Sequence, residues 1–255
     1  MSRFSRFTRS NNPFMREEKF QAASQAGVMD GSAAGVGEGQ MTVNGAINKT
    51  LILSGIMLIT TLFAYLFYNP IFVMGGAIGG LIVVLIAAFN PQRSAILAPI
   101  YAALEGLFIG GISFMYASLF DGIIFQAATL TLSILFMMLF IYRTGLIPVT
   151  DKFRTGVFMA TGGIALVYLL NFVLSFFGIS IPYLHSGGTI GIVISIAIIG
   201  IASLNLLLDF DNFEKGEQYG APKYMEWFSA MGLLITLVWI YVEVLRLLAI
   251  FASED

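Results

Sequence analysis

The chain has 255 residues, 58% of them hydrophobic and only 11% charged, against about 25% charged in an ordinary soluble domain. With a mean hydropathy of +0.87, that balance excludes a water-soluble globular protein and implies an all-α, polytopic membrane bundle. The absence of cysteine excludes disulfides and thiolate metal sites, and the single histidine, His185, cannot build a histidine-rich metal site. The net charge of −2 names no partner by itself, and no nucleic-acid partner is expected.

The first stretch, residues 1–48, is rich in Ser, Gly, Asn, Gln and Arg. Its AASQAGVMDGSAAGVGEGQ portion has little to bury and reads as a loosely ordered tail. FMREEKFQAA fits a short interfacial helix anchored by Phe14 and Phe20. No apolar h-region of a signal peptide is visible.

Seven apolar runs follow, at about 50–69, 71–89, 94–119, 122–142, 156–178, 188–208 and 228–251, each near the ~20 residues a helix needs to cross the hydrocarbon core. Residues 49–252 therefore read as a seven-helix transmembrane domain. Asn69-Pro70, Asn90-Pro91, Asp121-Gly122, Pro148, Pro182 and Gly220 to Pro222 punctuate the runs. Of the 13 basic residues, 12 fall in the tail (Arg3, Arg6, Arg9, Arg16, Lys19, Lys49) or in alternate loops (Arg93; Arg143, Lys152, Arg154; Lys215, Lys223). The loops between them carry none. The positive-inside rule puts the N-terminus in the cytoplasm, and seven spans put the C-terminus outside. Six spans with a re-entrant last segment would put both termini inside. The expected location is the plasma (inner) membrane. Gly75, Gly76, Gly79 and Gly80 in span 2, and Gly106 and Gly110 in span 3, form small-xxx-small pairs that let helix backbones approach; bundle packing is the expected use.

Charged residues inside spans are rare and costly, so each is a candidate site. Glu105 lies about 16 Å into span 3 and Glu243 about 22 Å into span 7, at 1.5 Å per residue. Arg246 follows Glu243 by three residues, on the same helical face, so the two can pair. Glu105 has no basic neighbour in its own span. It is either protonated in an apolar site or turned toward a wet cavity and a partner on another helix. Span 6 ends in LNLLLDFDNFEKGEQYG. There Asp209 and Asp211 point about 200° apart on a helix, and Asn205 shares the Asp209 face. Asp209 is the better candidate to point into the bundle; Asp211 and Glu214 fit the water boundary. Asn171 reads as an interhelical hydrogen-bonding residue and His185 as a solvated loop residue. No phosphate loop, metal cluster or nucleophile–histidine–acid set can be assembled, so an enzyme is not expected.

Seven spans, an acid-bearing last helix, the ALEGLFIGG segment, the LDFDNFEKG that closes span 6 and the Leu-Arg-Leu-Leu near the end together resemble the Bax inhibitor-1 family, bacterial branch, over about residues 50–250. The resemblance implies a bundle with the last helix central and a pH-sensitive calcium leak. In that family two aspartates, in the sixth and seventh spans, share a site that closes the pore and responds to protons. Asp209 matches the first; the second position is occupied by Thr236 here. Glu105 or Glu243 is then the other candidate carboxylate. Calcium, bound transiently, would draw on Asp209 and Glu105, with oxygens from Asn205 and Thr236. No resident cofactor is expected. The expected partners are the lipid bilayer, calcium or protons, and a membrane-protein partner in one of the alternatives. Those alternatives are a proton-coupled transporter, and a non-transporting regulator or scaffold of a membrane protease or stress pathway.

Overall fold

A computed structural model describes residues 39–175, 177 and 188–254. The expected interfacial helix, most of the N-terminal tail, Pro182 and His185 lie outside these residues. The described chain contains seven long α-helices: α1 Val43–Leu66, α2 Pro70–Phe89, α3 Ser94–Ala117, α4 Ile123–Thr144, α5 Asp151–Ser175, α6 Thr189–Gln218 and α7 Tyr224–Glu254. All seven are long and apolar enough to cross a membrane. The seventh is one unbroken helix of 31 residues, more than a 30 Å core requires at 1.5 Å per residue. It has the largest buried share of the seven, and α1 and α5 have the smallest. That burial agrees with a last helix enclosed by its neighbours.

The punctuation residues act as local chemistry dictates. Asn69 caps α2 by accepting a hydrogen bond from the Ile71 N–H at 2.9 Å, and Pro70 takes the first helical position, where a missing N–H costs nothing. Gly122 and Gly145 bracket α4 with φ of +73° and +66°, a left-handed conformation that only glycine adopts without strain. Pro99 sits inside α3, where lipid-embedded helices tolerate it because neighbours satisfy the freed carbonyl.

Two helix ends differ most from the sequence expectation. The sixth helix continues ten residues beyond the apolar run, to Gln218, although Asp, Asn and Gly in this segment are weak helix formers, because Phe210 and Phe213 are packed inside. The Lys215–Asp211 ion pair at 3.3 Å links successive turns there. Polarity marks where a helix leaves the hydrocarbon, not where its hydrogen bonds stop. The first helix begins at Val43 rather than near residue 50, for a different reason: its start is closed by residues from the far end of the chain.

The chain divides into two compact units. The first comprises α1, α2, α3 to Ile112, α6 from Asp209, and α7 to Ile235. Within it, α3 is packed tightly on both sides. A β-carbon on Gly106 would lie 1.9 Å from Thr60 Oγ1, and one on Gly110 would lie 2.3 Å from the Thr61 carbonyl oxygen, so α1 meets α3 backbone to backbone. Gly76 presents the same kind of contact from α2, 2.6 Å from the Leu104 carbonyl oxygen. Gly75 has nothing within 4 Å, whereas Gly76, Gly79 and Gly80 all face α3 closely, Gly79 against the Leu104 side chain at 3.1 Å. The glycines thus serve packing inside the bundle.

The same unit carries the closure of α1. Gln40 pairs in an isolated antiparallel bridge with Pro222, and the Met41 N–H donates to the Ala221 carbonyl at 2.6 Å. The buried Met41 side chain lies over Gly216, where any β-carbon would collide with its sulfur. Glu226, only 2% exposed, accepts from the Thr42 N–H at 3.1 Å and from its hydroxyl at 3.3 Å, and Glu217 accepts from the Val43 N–H at 3.3 Å. Two carboxylates therefore sit on the positive end of the α1 dipole and satisfy amides that would otherwise be orphaned. Lys49 completes the contact, its ammonium 4.8 Å from the Trp227 ring centre.

The second unit comprises α3 from Ser113, α4, α5, α6 to Leu208, and α7 from Thr236. It holds a polar cluster around Arg246, described below.

Candidate functional site

Asp209 sits on α6 where the apolar run gives way to the acidic segment, and it is only 7% exposed. It faces α7 at Gly232: a β-carbon built there would meet the Asp209 carboxylate at 3.8 Å and no other atom within 4 Å. Thr236 is buried one turn further along α7. Asn205, one turn before Asp209 on α6, uses its amide elsewhere. It donates to Thr161 Oγ1 at 2.8 Å and to the Ile201 carbonyl at 2.9 Å, linking α6 to α5. Asp211 is partly exposed and paired with Lys215, and Glu214 is exposed.

Glu105 lies half-buried on α3 in the same compact unit as Asp209. Its carboxylate lies against the backbone of α2, 2.6 Å from where a Gly80 β-carbon would stand. The buried Tyr101, one turn earlier, donates its hydroxyl hydrogen bond to the Glu105 carboxylate. Among the described residues Glu105 has no basic partner. Gly80 and Tyr101 together hold it inward: the glycine supplies space and the phenol supplies a donor that requires no opposite charge.

Glu243 is placed differently. It and Arg246 form an ion pair at 3.3 Å with side chains 5% and 14% exposed. Tyr168 of α5 donates to the second Glu243 oxygen and accepts from Arg246 Nη1 at 2.7 Å. Arg246 Nε and Nη2 both reach Ser195 Oγ on α6, at 3.3 and 3.0 Å. Tyr116 of α3 lies within electrostatic reach of both charges. Nearby in sequence, Tyr241 hydrogen bonds Ser113 at 2.7 Å. Two opposite charges thus neutralise one another, with hydroxyls on the guanidinium and on one carboxylate oxygen, while the other Glu243 oxygen makes the ion pair but no hydrogen bond.

The two intramembrane glutamates fall in different compact units: Glu105 in the one that also holds Asp209, and Glu243 in the one that holds Arg246. Tyr168, Ser195, Gly80 and Gly232 were not legible as site residues, because an uncharged hydroxyl or a glycine in an apolar run carries no signal of its own. The spacing Tyr101–Glu105, one turn on one face, is the exception. No group of three or more His, Asp or Glu side chains able to hold a metal ion occurs among the described residues.

No curated protein and no solved structure matches the chain. A family model described as Bax inhibitor 1 like matches residues 11–253. With the seven membrane-length helices and the acidic end of α6 in place, that near-complete match identifies the chain as a multi-pass membrane protein of the Bax inhibitor 1-like family.

Proposed function

We propose that the protein is a pH-modulated leak pathway for calcium across the plasma membrane, in which Asp209 and Glu105 attract the cation and take up the controlling protons. One observation carries this reading. Two carboxylates, the buried Asp209 and the half-buried Glu105, belong to a single compact unit, and each packs beside a glycine of a neighbouring helix. Ionised, such groups favour a divalent cation, which takes oxygen ligands. Protonated, they lose that attraction, and two carboxylates in a low-dielectric setting exchange protons with solvent as a coupled set.

The test is calcium entry into liposomes reconstituted with the full chain, followed against pH. Wild type is expected to carry a pH-dependent flux, and Asp209→Asn and Glu105→Gln are each expected to flatten the pH profile. Flux equal to that of empty liposomes at every pH would leave the non-transporting regulator as the better reading.

The distribution of basic residues supports a cytoplasmic N-terminus and an external C-terminus. Since the chain has no cysteine, single cysteines report this directly. Ser253→Cys is expected to react with an impermeant maleimide on intact cells, and Gln218→Cys only after lysis. The reverse pattern would invert the orientation.

A further inference from the structure

Residues 40–43 run across the turn between α6 and α7, and the contacts they make there lie within one compact unit. Gln40 pairs with Pro222, and its side chain lies 3.1 Å from where a Gly220 β-carbon would stand. The Met41 N–H donates to the Ala221 carbonyl, and the Met41 side chain, 1% exposed, lies over Gly216. Thr42 and Val43 reach Glu226 of α7 and Glu217 of α6. The Thr42 hydroxyl already caps α1 locally, accepting from the Gly45 N–H at 2.9 Å. The other contacts tie the start of α1 to α6, to α7 and to the turn that joins them. The strap is held lightly. Gln40, Thr42 and Glu217 are exposed, and surface hydrogen bonds with few buried contacts mark segments that open before the rest of a structure. Only Met41 is inserted, and methionine fills a gap by flexibility rather than by a fixed shape. Gly216 beneath it follows Asp209 by seven residues, two turns along α6 and within about 20° of the same face.

We propose that residues 40–43 form an autoinhibitory strap. Seated, the strap holds the α6–α7 turn against the start of α1 and keeps the leak shut; lifted, it frees those ends of α6 and α7 to move. This inference rests on the leak reading and adds its control. Met41 is the catch. Its burial over Gly216 is the apolar part of the contact, and Glu226 and Glu217 align the strap by accepting from its backbone. Gly216 is required because any side chain there would meet the Met41 sulfur at 2.5 Å and its methyl at 2.8 Å. The two helices that the strap ties are the two that meet at Asp209 and Gly232, so a change at the turn reaches the carboxylate through helices that carry both.

The chain has no cysteine, so a reversible lock tests this directly. Opposed residues of an antiparallel pair have Cα atoms about 4.5–5.5 Å apart, within the span that a disulfide bridges. The full chain carrying Gln40→Cys and Pro222→Cys is oxidised in detergent and reconstituted into liposomes, and calcium flux is read before and after dithiothreitol. Maleimide counting of free thiols verifies the lock. The locked protein is expected to pass calcium at least about tenfold more slowly than the same liposomes after reduction, since a lock removes the minor open population. Locked and reduced states are one polypeptide, so misfolding cannot mimic the result. Met41→Ser and Gly216→Leu release the strap from its two sides, and each is expected to raise flux about tenfold. A pair that does not oxidise, or flux equal before and after reduction with Met41→Ser equal to wild type, would overturn the strap and leave the leak reading standing. Flux in Met41→Ser from a silent wild type would support both. No flux from wild type, from the reduced pair or from either release variant would remove the leak and the strap's role with it.

Discussion

Arg246→Met is expected to destabilise the protein by about 3–5 kcal/mol, the cost of leaving a buried charge without its partner. The variant strands Glu243, which is 4% exposed, and deletes the donors to Tyr168 and Ser195. Glu243→Gln is expected to be milder, because an amide can still accept from Tyr168 and leaves Arg246 with Ser195 and Tyr168. The double variant Glu243→Met with Arg246→Met is expected to recover most of the loss, since a well-packed apolar pair replaces a charged pair at little cost. Unfolding in mixed micelles with increasing dodecyl sulfate measures all three. Arg246→Met as stable as wild type would show that the cluster contributes no stability, and Glu243 would return as a candidate for transport. With the expected result, calcium flux through the double variant should remain close to wild type, which would separate the structural glutamate from the functional one.

Gly110→Ala is the second large effect. The added carbon would lie 2.3 Å from the Thr61 carbonyl oxygen and 2.8 Å from the Ala64 β-carbon. A backbone carbonyl cannot rotate away, so α1 must move off α3 as a body. Overpacking of this kind costs about 1–3 kcal/mol and sometimes more, and interhelical dispersion, the main attraction between helices in lipid, is lost along the whole contact. Gly110→Leu should prevent assembly outright. Gly75→Ala is the matched control on α2: with nothing within 4 Å, it is expected to be neutral or to stabilise by up to about 1 kcal/mol through helix propensity. Heating in detergent with fluorescence-detected size exclusion reads both. A Gly110→Ala melting temperature at or above that of Gly75→Ala would refute the close approach of α1 to α3.

The apolar runs gave the number of helices and nearly every turn between them, because membrane insertion reads the same hydropathy that the eye reads. Helix ends were less legible. Val43 to Asn48 extend α1 because Glu226 and Glu217 reach its amides, a contact made across most of the chain that no local pattern announces. The site was legible in proportion to charge. Glu243 with Arg246 could be paired from spacing alone, and Glu105 stood out by having no such neighbour. Their supporting residues did not stand out. Gly80 makes space for Glu105, Gly232 lies against Asp209, and Tyr168 bridges an ion pair. In each case the informative property is what a neighbouring helix brings to it, and a single sequence does not record that.

The closure of α1 by Glu226 joins residues 184 positions apart, and this imposes an order on biogenesis. The first helix to leave the ribosome enters the bilayer with its opening amides unsatisfied, and it stays so while the next five are made. Only when the last helix is threaded do Glu226 and the strand-like pairing at Pro222 become available to finish it. Non-local contacts of this kind form late. A chain halted before α7 therefore displays a first helix whose start lacks the contacts from Glu226 and Pro222.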